Sequence, residues 1–171
     1  MLQKLILLVC LLAPHSLQAK QLPQNWVAVG KADLQVLWFD IYQAELSTPD
    51  GVFHGLNSPM LLQILYKRNI SRDELVDETR NQIRTFANSE KIPLWIARLE
   101  KIWPQIKKGD ELTFWIDQEA SGHFYYNREW IGSLDDPQFS HAFIQIWLSD
   151  QGEYPNLARK LRGEFKDEVT E

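Results

Sequence analysis

The stretch Glu111–Leu148, ELTFWIDQEASGHFYYNREWIGSLDDPQFSHAFIQIWL, decides the fold class. Three short runs rich in aromatic and β-branched residues are separated by turn signals: Glu111 to Asp117, His123 to Tyr126 and Trp130 to Leu134. Glu119 to Gly122 and the pair Asn127-Arg128 supply the turns, so the three runs read as an antiparallel meander. The pattern then changes period. Asp136 is placed to cap a helix, Pro137 suits its first turn, and Phe139, Ala142, Phe143, Ile146 and Trp147 recur at helical spacing. Strands followed by helices, without βαβ alternation, argue for an α+β domain with helices packed on one face of a sheet.

Working back from this stretch, two helices precede it. Ser71 to Glu74 spells a capping box, with Ile70 and Leu75 at the hydrophobic-staple positions. Leu75, Thr79, Ile83 and Phe86 form its apolar stripe. A second helix is expected from about Ser89 to Trp103, stopped by Pro104. Leu61 to Lys67 reads as a strand. Earlier still, 25–48 reads as strand with a turn at Gly30-Lys31-Ala32-Asp33, a β-forming run from Val36 to Tyr42, and a turn at Thr48-Pro49-Asp50-Gly51. In that run Leu34, Val36, Trp38 and Asp40 alternate with Gln35, Leu37, Phe39 and Ile41. Working forward, a short helix runs from near Pro155 to before Gly163, and the charged residues 164–171 read as a frayed tail.

The first residues have another pattern. Lys4 precedes an apolar run, Leu5 to Ala13, and Ser16-Leu17-Gln18-Ala19 gives a small-residue exit. This is the pattern of a signal peptide, so residues 1–19 are expected to be removed and residues 20–171 to form one exported domain, periplasmic or secreted. The run is too short to span a bilayer. It contains Cys10, the only cysteine; Val9 before it and Leu11-Leu12 after it do not suit lipidation. The remaining chain then has no thiol for a disulfide, a nucleophile or a metal site.

The formal net charge of −5 offers no footprint for nucleic acid or an anionic membrane surface. His54, His123 and His141 are widely spaced and form no metal-binding pattern. No nucleophile elbow and no phosphate-cradling glycine loop is present, so neither a metal nor a cofactor is expected. Asn69-Ile70-Ser71 is a formal glycosylation sequon, but the staple and capping box account for Ile70 and Ser71. Asp135-Asp136 reads as a helix cap rather than a catalytic pair. Seven tryptophans can fill a core or line an apolar pocket. Asp40 has two readings: a strand end facing water, or a polar group in an apolar cavity that orients a ligand. Tyr42, Tyr66 and Arg68 are its companions on strand positions, and an Arg reaching a cavity would suit a carboxylate.

An ordered set of motifs adds a family. It runs Val29-Gly30-x-Ala32-x-Leu34-x-x-Leu37, Phe39-Asp40-Ile41-Tyr42-x-Ala44-x-Leu46, Pro49-Asp50-Gly51, Lys107-Lys108-Gly109-Asp110, Phe124-Tyr125-Tyr126-Asn127, Ile131-Gly132-x-Leu134-Asp135-Asp136-Pro137-x-Phe139 and Ala142-Phe143-x-x-Ile146-Trp147-Leu148. Together these resemble bacterial exported chalcone isomerase-like proteins. The resemblance implies an open-faced β-sandwich: a curved, mainly antiparallel sheet covered by a helical layer, with a cleft between them. Plant chalcone isomerases close a chalcone into a flavanone in that cleft, and relatives without the catalytic set bind fatty acids there. Aligned on this family, Asp40 stands where the plant enzymes carry a catalytic Thr, and Arg72 and Thr79 where they carry Tyr and Asn. Their catalytic Arg has no clear counterpart; Ala28 to Asp33 offers only Lys31. Arg128 stands where the exported group commonly has glycine. An acid at the Thr position would repel a phenolate, so no flavanone-forming activity is expected.

The resemblance therefore implies a non-catalytic exported protein that binds a small apolar or amphipathic ligand, a fatty acid or related lipid, with Trp38, Asp40, Tyr42, Tyr66, Thr79 and Ile83 as candidate lining. One alternative is an isomerase or lyase acting on an unsaturated substrate with Asp40 as general base. Another is a partner-binding protein whose cleft is filled by its own aromatic side chains.

Overall fold

The computed structural model describes residues 21–165 except 58 and 89. The expected signal peptide, Cys10 and most of the expected frayed tail lie outside these residues. Six strands form one antiparallel sheet in chain order: β1 (Val27–Val36), β2 (Phe39–Thr48), β3 (Met60–Tyr66), β4 (Glu111–Ile116), β5 (Gly122–Tyr126) and β6 (Glu129–Leu134). Among the described residues four helices complete the fold: α1 (Arg72–Phe86), α2 (Ile92–Ile102), α3 (Pro137–Leu148) and α4 (Pro155–Leu161). Among the described residues no helix is long and apolar enough to cross a membrane.

Cross-strand register builds the core face. Tyr42 pairs with Tyr66, Ala44 with Ile64 and Leu46 with Leu62. The rows continue as Ile64 with Leu112, Leu62 with Phe114 and Phe114 with Phe124. Period-2 alternation therefore becomes apolar rows across four strands, against which the helices lay their buried sides.

Local chemistry sets the element ends. Ser71 Oγ accepts from the Glu74 amide while the Glu74 carboxylate accepts from the Ser71 amide. Ile70 pairs with Ile106 in an isolated bridge, and Asn69 Oδ1 accepts from the Lys108 amide, so Asn69-Ile70-Ser71 has a structural role. Asp136 caps α3 through the Gln138 amide. Asn127 and Arg128, with φ of 50° and 72°, make the tight β5–β6 turn, whose left-handed backbone Asn tolerates better than Arg.

Two expectations for the N-terminal strands are corrected. Residues 30–33 do not turn; β1 runs through them, with a register shift between Ala28 and Gly30. Gly30 is needed there because a Cβ would lie 2.0 Å from the Lys160 carbonyl oxygen at the end of α4. α4 is held over this edge by Arg162, which donates to the Leu148 carbonyl (2.6 Å) and pairs with Asp150. Nor is Val36 to Tyr42 one strand: Leu37-Trp38 connects β1 to β2 with Val36 paired to Phe39. Sequence-level reading missed this turn because it contains no Gly, Asn or Pro. α2 begins at Ile92, with Pro93 in its first turn, later than expected.

Candidate functional site

A cleft of about 500 Å³ opens between the sheet and α1, α3 and α4. Its wall is assembled from separate elements: Leu34 and Val36 of β1, Ile41 and Tyr42 of β2, Tyr66 of β3, Leu75 and Thr79 of α1, and Ile146 and Trp147 of α3. The volume lies in the range of small-molecule sites, and the wall is mostly aliphatic and aromatic. Arg68, Glu74, Asp77, Glu78, Asn81 and Gln82 stand along it as polar groups. A larger groove of about 750 Å³ follows β1 and α4, but Lys31, Asp33, Gln35, Glu153, Asn156 and Lys160 make it hydrophilic. The cleft is the better candidate for an apolar ligand.

The cleft's polar handles are unusual for so apolar a wall. Tyr66 is 3 % exposed and packs edge-on against Tyr42, ring centroids 6.0 Å apart. Burial pushes both hydroxyls well above the ordinary phenol range; for Tyr42 the neighbouring Trp147 indole offsets this only in part. Both stay protonated donors near neutral pH. The Trp147 indole N–H lies near Tyr42 but outside hydrogen-bond geometry, and it is buried without a partner. Thr79 is not such a handle, because its hydroxyl donates to the Leu75 carbonyl (2.9 Å). Arg68 lies on the cleft with its Nε donating to the Asn69 carbonyl and its guanidinium 3.8 Å from Glu74.

The inner end of the cleft closes on rings. Tyr66, Thr79 and Trp147 also border a void of about 10 Å³ walled by Trp103, Phe114, Phe124 and Phe143. That is barely the space of one water molecule.

The structure brings together Tyr42, Tyr66 and Thr79 of the candidate lining and separates the other three. Ile83 is fully buried in the core beyond the cleft wall. Trp38 is 93 % exposed at the β1–β2 turn. Asp40 is exposed and accepts a 2.6 Å hydrogen bond from Gln35. The alternation that put Trp38 and Asp40 on Tyr42's side fails because the turn interrupts the strand and a register shift follows Leu34. A general base at Asp40 would face water, not a cavity. Trp147 is one of several lining residues that sequence reasoning missed, with Leu34, Ile41, Leu75 and Ile146; its helical spacing marked it only as core. The histidines have local partners: His123 Nε2 lies 2.8 Å from Asp117, His54 Nε2 2.7 Å from Asp50, and His141 Nδ1 3.2 Å from Gln145. Among the described residues no group of three His, Cys, Asp or Glu could hold a metal ion.

Comparison with known proteins places this architecture. The family model described as chalcone isomerase-like matches residues 35–163. A Haemophilus influenzae protein named only as uncharacterized is 25 % identical over 150 residues, which cover 86 % of this chain and 74 % of that protein. The crystal structure of an Arabidopsis thaliana fatty-acid binding protein superposes with a TM-score of 0.66 at 9 % identity, covering 84 % of this chain and 90 % of the other. At that identity the likeness is one of fold.

Proposed function

The chain belongs to the chalcone isomerase-like family, and within it we propose a non-catalytic binder of an amphipathic apolar ligand, a fatty acid or related lipid, working outside the cytoplasm. The observation that carries this reading is an apolar cleft whose wall also carries two phenols, Tyr42 and Tyr66, and the indole of Trp147. An acyl chain fits the aliphatic wall, where each CH₂ removed from water contributes about 0.8 kcal/mol. A carboxyl or carbonyl oxygen can accept from the phenols, which stay protonated. The fold shared with a protein named for fatty-acid binding supports the same ligand class. Against catalysis stands the exposure of Asp40, the acid available at the position aligned with a catalytic Thr. Export rests on the pattern of residues 1–19.

The test is native mass spectrometry of protein purified from the compartment to which a cell delivers it, followed by titration with fatty acids. Co-purifying lipid, or saturable uptake at one site, is the expected result. Protein that is always unliganded and takes up no fatty acid would overturn the reading.

A further inference from the structure

Val36, Leu37, Trp38 and Phe39 form the tip of the β1–β2 hairpin and are 40 %, 82 %, 93 % and 66 % exposed. Four consecutive exposed apolar residues on a surface call for a function. The backbone adds a second observation. Leu37 has φ 57°, a left-handed conformation that Asn or Gly adopts far more readily than a γ-branched residue. The sequence keeps a large apolar side chain where the turn itself favours a small or polar one.

The tip is also continuous with the cleft. Val36 of the tip, and Leu34 and Ile41 behind it on the two strands, line the cleft wall. Its base is fixed, since the Lys67 amide donates to the Ile41 carbonyl (2.9 Å) and Lys67 Nζ pairs with Asp33 (2.5 Å). The charged groups Asp33, Asp40, Lys67 and Arg68 therefore stand behind an apolar point.

We propose that this hairpin tip is a lipid-surface anchor, which inserts Leu37, Trp38 and Phe39 into a membrane and sets the cleft mouth against it. The inference rests on the cleft taking a lipid-derived ligand. A membrane suits the tip better than a protein partner does. Two aromatic rings of roughly 150–250 Å² each, with one leucine, fall short of the ~800 Å² per partner that a stable protein interface buries. Trp at the end of an apolar projection matches the preference of indoles for the membrane–water boundary. With a net charge of −5, the chain gains no general attraction to anionic lipid, so docking depends on apolar insertion and, on a zwitterionic surface, is insensitive to salt.

The test is flotation with vesicles of zwitterionic phosphatidylcholine and phosphatidylethanolamine, with binding of a monomeric fluorescent fatty acid measured in parallel. The wild-type protein is expected to float at low and high salt. The Leu37→Asn/Trp38→Ser/Phe39→Ser variant is expected to bind vesicles about tenfold or more weakly while still taking up the fatty acid. Leu37→Asn alone separates anchoring from folding: it suits the left-handed backbone, so Tm holds or rises while vesicle binding falls. Brominated lipid should quench Trp fluorescence less in Trp38→Phe than in the wild type. Wild-type protein that stays off the vesicles, or tip variants that float equally well, would overturn the proposal. So would tip-dependent dimers in solution, which would make the patch an interface between copies. Tip-dependent flotation without fatty-acid uptake would uphold the anchor and sink the cleft reading alone.

Discussion

At one end of the helix–sheet interface Phe114, Phe124, Phe139 and Phe143 interlock with ring centroids 4.6–6.2 Å apart, and Trp103 packs edge-on against Phe124. At the other end the same sheet face presents Tyr42 and Tyr66 to α1, whose opposing residues are Leu75 and Thr79, and about 500 Å³ stays open. One sheet and one helical layer bound both regions. The difference lies in side-chain volume: rings meet rings at the sealed end, and rings meet a leucine and a threonine at the open end. The teaching is that the sealed end supplies stability and the open end is free to supply a site.

The largest expected effect comes from breaking the sealed end. Phe143→Ala removes the ring that touches Phe114, Phe124, Phe139 and Trp147, and should cost about 3–5 kcal/mol in urea unfolding. Filling the open end should act the other way round. Leu75→Trp should cost less than about 1.5 kcal/mol, because the ring has space to enter, while fatty-acid affinity falls tenfold or more by fluorescence titration. Tyr66→Phe should leave Tm unchanged or slightly raised, yet weaken binding of a ligand bearing a carboxyl group by about 0.5–1.5 kcal/mol in calorimetry. Equal losses of stability in the Phe143 and Leu75 variants would erase the contrast between the two ends.

The smallest effect is a pH dependence at the sealed end. Burial alone would raise the Asp136 carboxyl, but hydrogen bonds from Lys91, Trp95 and the Gln138 amide hold it below the ordinary carboxylate value. A group depressed on folding stabilises the protein above its unfolded pKa, and the stabilisation is lost as pH falls through the folded value. Acid unfolding of Asp136→Asn should therefore lose part of its dependence on pH below the ordinary Asp value of 3.8, with a change under about 1 kcal/mol at neutral pH.

Much of the scaffold was legible because local chemistry signals it without help from the rest of the chain. The Ser71–Glu74 box, the Asp136-Pro137 start of α3 and the Asn127-Arg128 turn each act within four residues. What escaped depends on distant parts. Gly30 reads as a turn residue until α4, some 130 positions later in sequence, is packed across it. Leu37-Trp38 reads as strand because nothing in its composition announces a turn. The site was half legible for the same reason. Tyr42, Tyr66 and Thr79 sit on regular elements whose period places them, whereas Trp38 and Asp40 were placed by extending that period through a reversal of the chain. Trp147 showed its helical spacing but not that its indole N–H would be left without an acceptor.

The close approach of α4 to Gly30 also orders events during folding. Residues 160–163 lie over the face of β1 at a point where the strand has no side chain, and they are synthesised after the strands. Leu157 and Leu161 of α4 are buried, as are Ala32 and Leu34 of β1. A chain that stops before α4 therefore leaves the β1 end of the apolar face open to water, and the last helix is what closes the core at that end.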